Sequence, residues 1–201
     1  MKTMTPLDRI LLLLTGLLAA YQVAVGIDGL PALAIAGYTL AFGVLLVSGL
    51  LLIILGFEVL DNRLVAVIST LIPLGLSLGL VVEYLGQYTT AYLVFCVVGF
   101  LAVAATRWLV PGRPAVLVLA LVHGISGLVI FILPLALSLN NTVPSRFALV
   151  GVGGALIGLG GLLLSFLKSG KPLLPAHTIL TVLPGLLLVM TIAFVAGFGG
   201  R

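Results

Sequence analysis

Two histidines, one cysteine and five carboxylates are the groups with which this 201-residue chain could run acid–base, nucleophilic or metal chemistry. His123 and Ser126 stand three apart, which sets a base and a hydroxyl on one helix face. No Gly-x-Ser-x-Gly elbow, His-Glu-x-x-His pair or phosphate-cradling Walker loop accompanies them. A base beside a hydroxyl supplies no oxyanion site, so the chain is read as a non-enzyme. His123 and His177 lack a third ligand, and no metal, haem or other cofactor is expected. Cys96 has no second cysteine to pair with. Asp8, Glu58, Asp61 and Glu83 all fall near the ends of apolar stretches, and His123 alone lies clearly inside one. Ionisable residues deep in lipid usually mark function, so this scarcity argues against steep ion coupling.

Milder polar residues recur at helical spacing. Thr15 and Gln22 are seven apart, as are Thr70 and Ser77. His123 and Ser126 share a face, and His177 precedes Thr181 by four. These positions predict a lining for a small neutral or weakly polar solute, or polar contacts between helices. Pro73 and Pro184 each fall about eleven residues into an apolar stretch, near its middle at a 1.5 Å rise. Each removes a helical hydrogen bond, and Thr70 and Thr181 one turn earlier can re-satisfy freed backbone groups. The pair reads either as hinges or as static kinks. Gly151, Gly154, Gly158 and Gly161 share one helix face with Ser165. Such a face predicts close packing against another helix of this chain, a second copy or a different subunit.

The elements that position these residues follow from composition. The chain is 62% hydrophobic and 7% charged, with mean hydropathy +1.43. Water-soluble domains carry about 25% charged residues, so a soluble globule is excluded, as are a disordered chain, a coiled coil and a disulfide scaffold. Nine basic residues give a net charge of +4 but form no patch, which excludes nucleic-acid binding. Helices satisfy their own backbone in lipid, and the alternating strands of an outer-membrane barrel are absent. The expected fold is all-α, a polytopic membrane protein with seven transmembrane helices near 8–25, 31–57, 64–85, 91–109, 115–139, 147–167 and 173–198. The first is read as a span and not as a cleaved leader, because the later stretches are equally apolar.

Basic residues set the expected orientation in a cell membrane of cytoplasmic type. An inside N-terminus puts Lys2, Arg9, Arg63, Arg107, Arg113, Lys168 and Lys171 on the cytoplasmic side and leaves Arg146 and Arg201 outside with the C-terminus. Tyr84, Tyr88 and Tyr92 then form an outer interfacial group. A shift of 111 residues brings Gly43 onto Gly154, Gly49 onto Gly160, Thr70 onto Thr181 and Pro73 onto Pro184. This suggests a single membrane domain built as three spans, one linker span and three spans, with parallel units 8–86 and 115–198 joined by 91–109. In helix count that layout resembles the sugar-carrying SWEET proteins and their vitamin-transporting relatives. The Pro-Gln pair of those families is not found here, and no site residue carries over.

Two functions are expected from these features. One is a transporter-like bundle for a small neutral or weakly polar solute. The other is a non-catalytic accessory or scaffold subunit of a larger membrane complex. The partners expected are the lipid bilayer and, through the sixth helix, further copies or other subunits.

Overall fold

The first helix, α1 (Pro6–Val25), begins where its sequence says it should. Thr5 accepts from the Asp8 N–H at 3.2 Å, and Asp8 Oδ2 accepts from the Thr5 N–H at 2.9 Å, a reciprocal cap on the first turn. Pro6 opens the helix where a missing N–H costs nothing. In the computed structural model, which describes residues 2–27, 29–168 and 173–199, apolar helices run through the chain, and a side-chain cap recurs at the helix beginning at Arg63, where Asn62 accepts from the N–H groups of Leu64 and Val65. Asp28, Lys171 and Arg201 lie outside the described residues.

The helices after α1 are α2 (Ala32–Leu55), α3 (Arg63–Ser69), α4 (Leu71–Tyr84), α5 (Thr89–Leu109), α6 (Arg113–Leu139), α7 (Ala148–Lys168) and α8 (Ala176–Phe198). Short 3-10 turns lie at Phe57–Asp61, Gly86–Tyr88 and Ser145–Phe147, and no strand occurs among the described residues. With α3 and α4 counted together, seven helices are long and apolar enough to cross a membrane. The bounds follow the sequence expectation to within a few residues.

The third span departs from expectation by splitting at Thr70. Pro73 has no N–H for the carbonyl of Ser69. The Thr70 N–H bonds the carbonyls of Val67 and Ile68, tighter than the α-helical step. The carbonyl of Ala66 then takes the hydroxyls of Ser69 at 3.0 Å and Thr70 at 3.1 Å. The segment after α2 also differs. Gly56, at φ +74°, turns the chain into the Phe57–Asp61 turn, and Phe57 and Val59 pack inward.

The helices α1, α2, α4, α6, α7 and α8 pack in that order around a ring, and α8 closes it against α1. Helix α5 stands outside, against α3, α4 and α6. Because α4 touches α2, α5 and α6, all its residues from 72 to 81 are buried, as a helix apolar all round should be. At one end the ring is filled by Tyr38, Phe42, Tyr84, Phe147, Phe194 and Phe198. Their rings meet in tilted and edge-on pairs, Tyr38 to Phe198 at 4.8 Å and Phe42 to Phe194 at 6.4 Å. The expected tyrosine group is divided: Tyr88 is exposed, Tyr84 packs on Phe147, and Tyr92 turns between helices against Phe95.

Candidate functional site: a cavity in one half of the bundle

A cavity of about 200 Å³ lies in the half of the ring where α3 and α6 begin and α5 and α7 end. Every one of the eight helices contributes to its wall, as does the Phe57–Asp61 turn through Val59 and Leu60. The broken third span shapes one side: Val65, Ala66 and Ser69 come from α3, and Ile72 and Pro73 from α4. The α1–α2–α8 contact around Leu12, Leu52, Phe57 and Leu183 borders the same half. Toward the other half, the aromatic cluster fills the ring centre.

The wall is mostly hydrocarbon, with a few polar groups. Thr15 lines it, but its hydroxyl donates to Leu11 O at 2.9 Å. The Ser69 hydroxyl is likewise engaged with Ala66 O. Ser48 and Ser165 also face the cavity. His123 lines it from α6, with Nδ1 3.1 Å from Leu119 O. In the tautomer that donates from Nδ1 to that carbonyl, Nε2 is the free acceptor. Arg107, in the last turn of α5, brings a guanidinium to the wall, and its Nε is buried without a hydrogen-bond partner.

Of the polar, hinge and helix-packing positions singled out in the sequence, Thr15, Pro73, His123, Gly161 and Ser165 meet at this cavity. The others do not. Gln22 donates to Gly26 O at 3.3 Å and ties off the end of α1. Thr70 is buried at the helix break. Ser77 donates to Pro73 O at 2.6 Å. Ser126 is buried, and it and Ser77 flank the Tyr92 hydroxyl between α4, α5 and α6. Ser126 Oγ and Tyr92 Oη are both buried and have no hydrogen-bond partner. His177 is exposed at the start of α8, and Thr181 donates to its carbonyl at 2.8 Å. Pro184 is buried inside a continuous α8, while its neighbour Leu183 lines the cavity.

The glycine face of α7 divides by depth. A Cβ on Gly151 would meet Phe131 O at 2.8 Å, and one on Gly154 would meet the Ile130 backbone at 2.8 Å, so α6 of the same chain occupies this part. Gly158 has nothing within 4 Å of that position, and neither has Gly161 at the cavity.

Arg107, Ser48 and Ser69 were not signalled as cavity residues. Arg107 reads in sequence as one more topology-setting cation. Its distinguishing mark is its place in the last helical turn, whereas Arg113 begins the next helix. Among the described residues, no three of His, Cys, Asp and Glu gather closely enough to hold a metal ion. Comparison with protein-family models, with curated proteins and with solved structures gives no match to this chain.

Proposed function

We propose that the chain is a membrane-embedded, carrier-like bundle that admits a small solute of low polarity from one face. The observation that carries this reading is the one-sided cavity, which is walled by all eight helices and bounded at mid-bundle by packed aromatic rings. A solid interior would suit a scaffold, and a continuous opening would suit a channel. A chamber in one half with a plug in the other suits alternating exposure. By the excess of lysine and arginine at its end of the bundle, the chamber faces the cytoplasm.

The ring order also supports a two-unit architecture. Pairing α1 with α6, α2 with α7 and α4 with α8 carries every neighbouring pair of the ring onto another neighbouring pair. The proposed symmetry axis runs along the membrane normal, with α5 as linker. The units differ in one respect that bears on motion: the third span is broken beside Pro73, and α8 runs straight through Pro184. The moving part is therefore assigned to the α3–α4 joint.

Uptake into proteoliposomes across a panel of small solutes tests the reading. Flux above background for a subset, slowed by the Pro73→Ala/Pro184→Ala double variant, is expected; background flux for every solute overturns it. The accessory-subunit reading rested partly on the α7 glycine face, much of which α6 or the cavity already takes. Gentle extraction from native membranes separates the two, since an accessory subunit would migrate with other proteins.

A further inference from the structure

Among the described residues of the cavity wall, Arg107 is the one formally charged group. It makes no ion pair with a described residue, and its buried Nε has no hydrogen-bond partner. The ionisable groups in its field are Arg63 of α3 and His123 of α6, and neither can neutralise it. Of the carboxylates at this end of the bundle, Glu58 and Asp61 are exposed, and Asp8 is already taken by Lys2 Nζ at 2.7 Å and the Thr5 N–H. Arg107 is part-exposed, and the Nε of its guanidinium is the nitrogen shut off from water without an acceptor, an unfavourable state that an anion at the fork would relieve. Its planar fork is shaped to take a carboxylate or phosphate in a two-pronged contact.

The remaining wall has the opposite character. Leu45 and Leu52 of α2, Leu156 of α7, and Leu187 and Met190 of α8 present hydrocarbon. The hydroxyls of Thr15 and Ser69 are already bonded within their own helices. At about 200 Å³, the space is somewhat larger than the roughly 150 Å³ apolar cavity that takes benzene. It is smaller than the about 300 Å³ at which typical ligand pockets begin. Such a chamber matches one small apolar body with one charged end.

We infer that the cavity binds an amphipathic monoanion, its carboxylate or phosphate head on Arg107 and its short alkyl or aromatic body among the leucines of α2, α7 and α8. The inference rests on the cavity of the carrier reading and sharpens its solute from a weakly polar molecule to one with a single anionic end. Binding and flux are separable. Binding without flux keeps this site and removes the carrier, whereas flux of uncharged solutes without anion preference keeps the carrier and removes this site.

The test uses the full chain in phosphatidylcholine nanodiscs, titrated calorimetrically with hexanoate, hexyl phosphate and 1-hexanol. At least one of the two anions is expected to bind about tenfold more tightly than the alcohol, the worth of one charge-assisted contact. Arg107→Gln should abolish that preference and leave hexanol binding unchanged, while Arg63→Gln should leave the preference in place. Gly161→Leu, whose side chain projects into open space at the wall, should abolish binding of all three. Equal affinity of anions and alcohol for the unaltered chain overturns the inference, as does a preference that survives Arg107→Gln. Should Arg107→Gln fail to fold, anion binding retained by Gly161→Leu overturns it equally. Adding phosphatidylglycerol to the nanodiscs identifies the source. Unchanged anion affinity assigns a free solute to the site, and competitive loss assigns an anionic lipid head group to the same site.

Discussion

Seven serine and threonine hydroxyls among the described residues bond to a carbonyl of their own span. Thr15, Thr70, Thr106, Thr181 and Thr191 each donate to the carbonyl four residues earlier, at 2.7–3.1 Å. A hydroxyl in an apolar setting satisfies itself at the nearest carbonyl, which is why seven-residue spacing of Ser and Thr traced helix faces without tracing a solute path. Ser126 and Ser138 are exceptions, and Ser126 has a testable consequence: it is 0% exposed and its Oγ has no partner. Removing a desolvated, unpaired hydroxyl forfeits no hydrogen bond, so Ser126→Ala should leave the melting temperature in detergent unchanged or raise it. A clear fall would mean the hydroxyl is bonded in the folded protein. Asp8 is the opposite case. Its carboxylate takes Lys2 Nζ at 2.7 Å and the Thr5 N–H at 2.9 Å, and Lys2 also lies over the Phe57 ring at 5.3 Å. Asp8→Asn removes the charge partner of a nearly buried ammonium and should lower unfolding free energy by about 1.5–3 kcal/mol, the range for hydrogen bonds to charged groups. Steric-trap unfolding in bicelles reads this directly. Of the chemistry-bearing residues, His123 was legible because an ionisable group inside an apolar run stands out. Arg107 was not, since nothing in a lone sequence says whether a terminal arginine turns out to water or in to a cavity.

At the level of elements, long apolar runs make legible the seven helices long enough to cross a membrane, because length and backbone satisfaction leave few alternatives to helix in such runs. Helix-to-helix contacts are less so. Gly75 and Gly79 present the same four-residue glycine spacing as Gly154 and Gly158, yet the α2–α4 contact they make depends on Gly37 of a different helix. A Cβ on Gly75 would lie 2.5 Å from Gly37 O, and one on Gly37 would lie 2.7 Å from Gly75 O. Backbone cannot yield as a side-chain tip does, so Gly75→Ala should reach the upper end of the about 1–3 kcal/mol that overpacking costs. Gly43→Ala, with nothing within 4 Å of its Cβ position, should change stability by less than about 0.5 kcal/mol. Equal effects of the two substitutions in the same unfolding assay would refute the direct backbone contact. The helix break is a second element-scale case. Proline at position 73 is visible in the sequence, but so is proline at 184, and only the first coincides with a break. Pro73→Ala restores an N–H for Ser69 O and should let α3 and α4 fuse. The expected result is a higher melting temperature with slower uptake of any transported solute, and a faster uptake would argue that the joint is not the moving part.

For the whole molecule, the decisive asymmetry is between a half that holds a cavity and a half that holds aromatic rings. No single span encodes it. Phe42, Phe147, Phe194 and Phe198 are spread over more than 150 positions of chain and become a plug only when the ring closes through the α1–α8 contact. The asymmetry makes a sided prediction about solvent access. In a Cys96→Ala background, which removes the buried native thiol, cysteines at Ser48 and Ser165 lie on the cavity wall, whereas one at Thr191 lies 0% exposed beyond it. A charged thiosulfonate that cannot cross lipid should modify the first two when added at the face bearing Arg63 and Arg113, and should modify neither from the opposite face. The Thr191 cysteine should stay unreactive from both. Reaction of the cavity cysteines from the opposite face would place the plug at the wrong end, and protection from both faces would mean the chamber is sealed at its own end. A carrier makes one further demand that a static pocket does not: saturating solute should lower reactivity at Ser48 and Ser165 and raise it at Thr191 from the opposite face, because the aromatic contacts among Tyr38, Phe42 and Phe198 must part for the solute to leave.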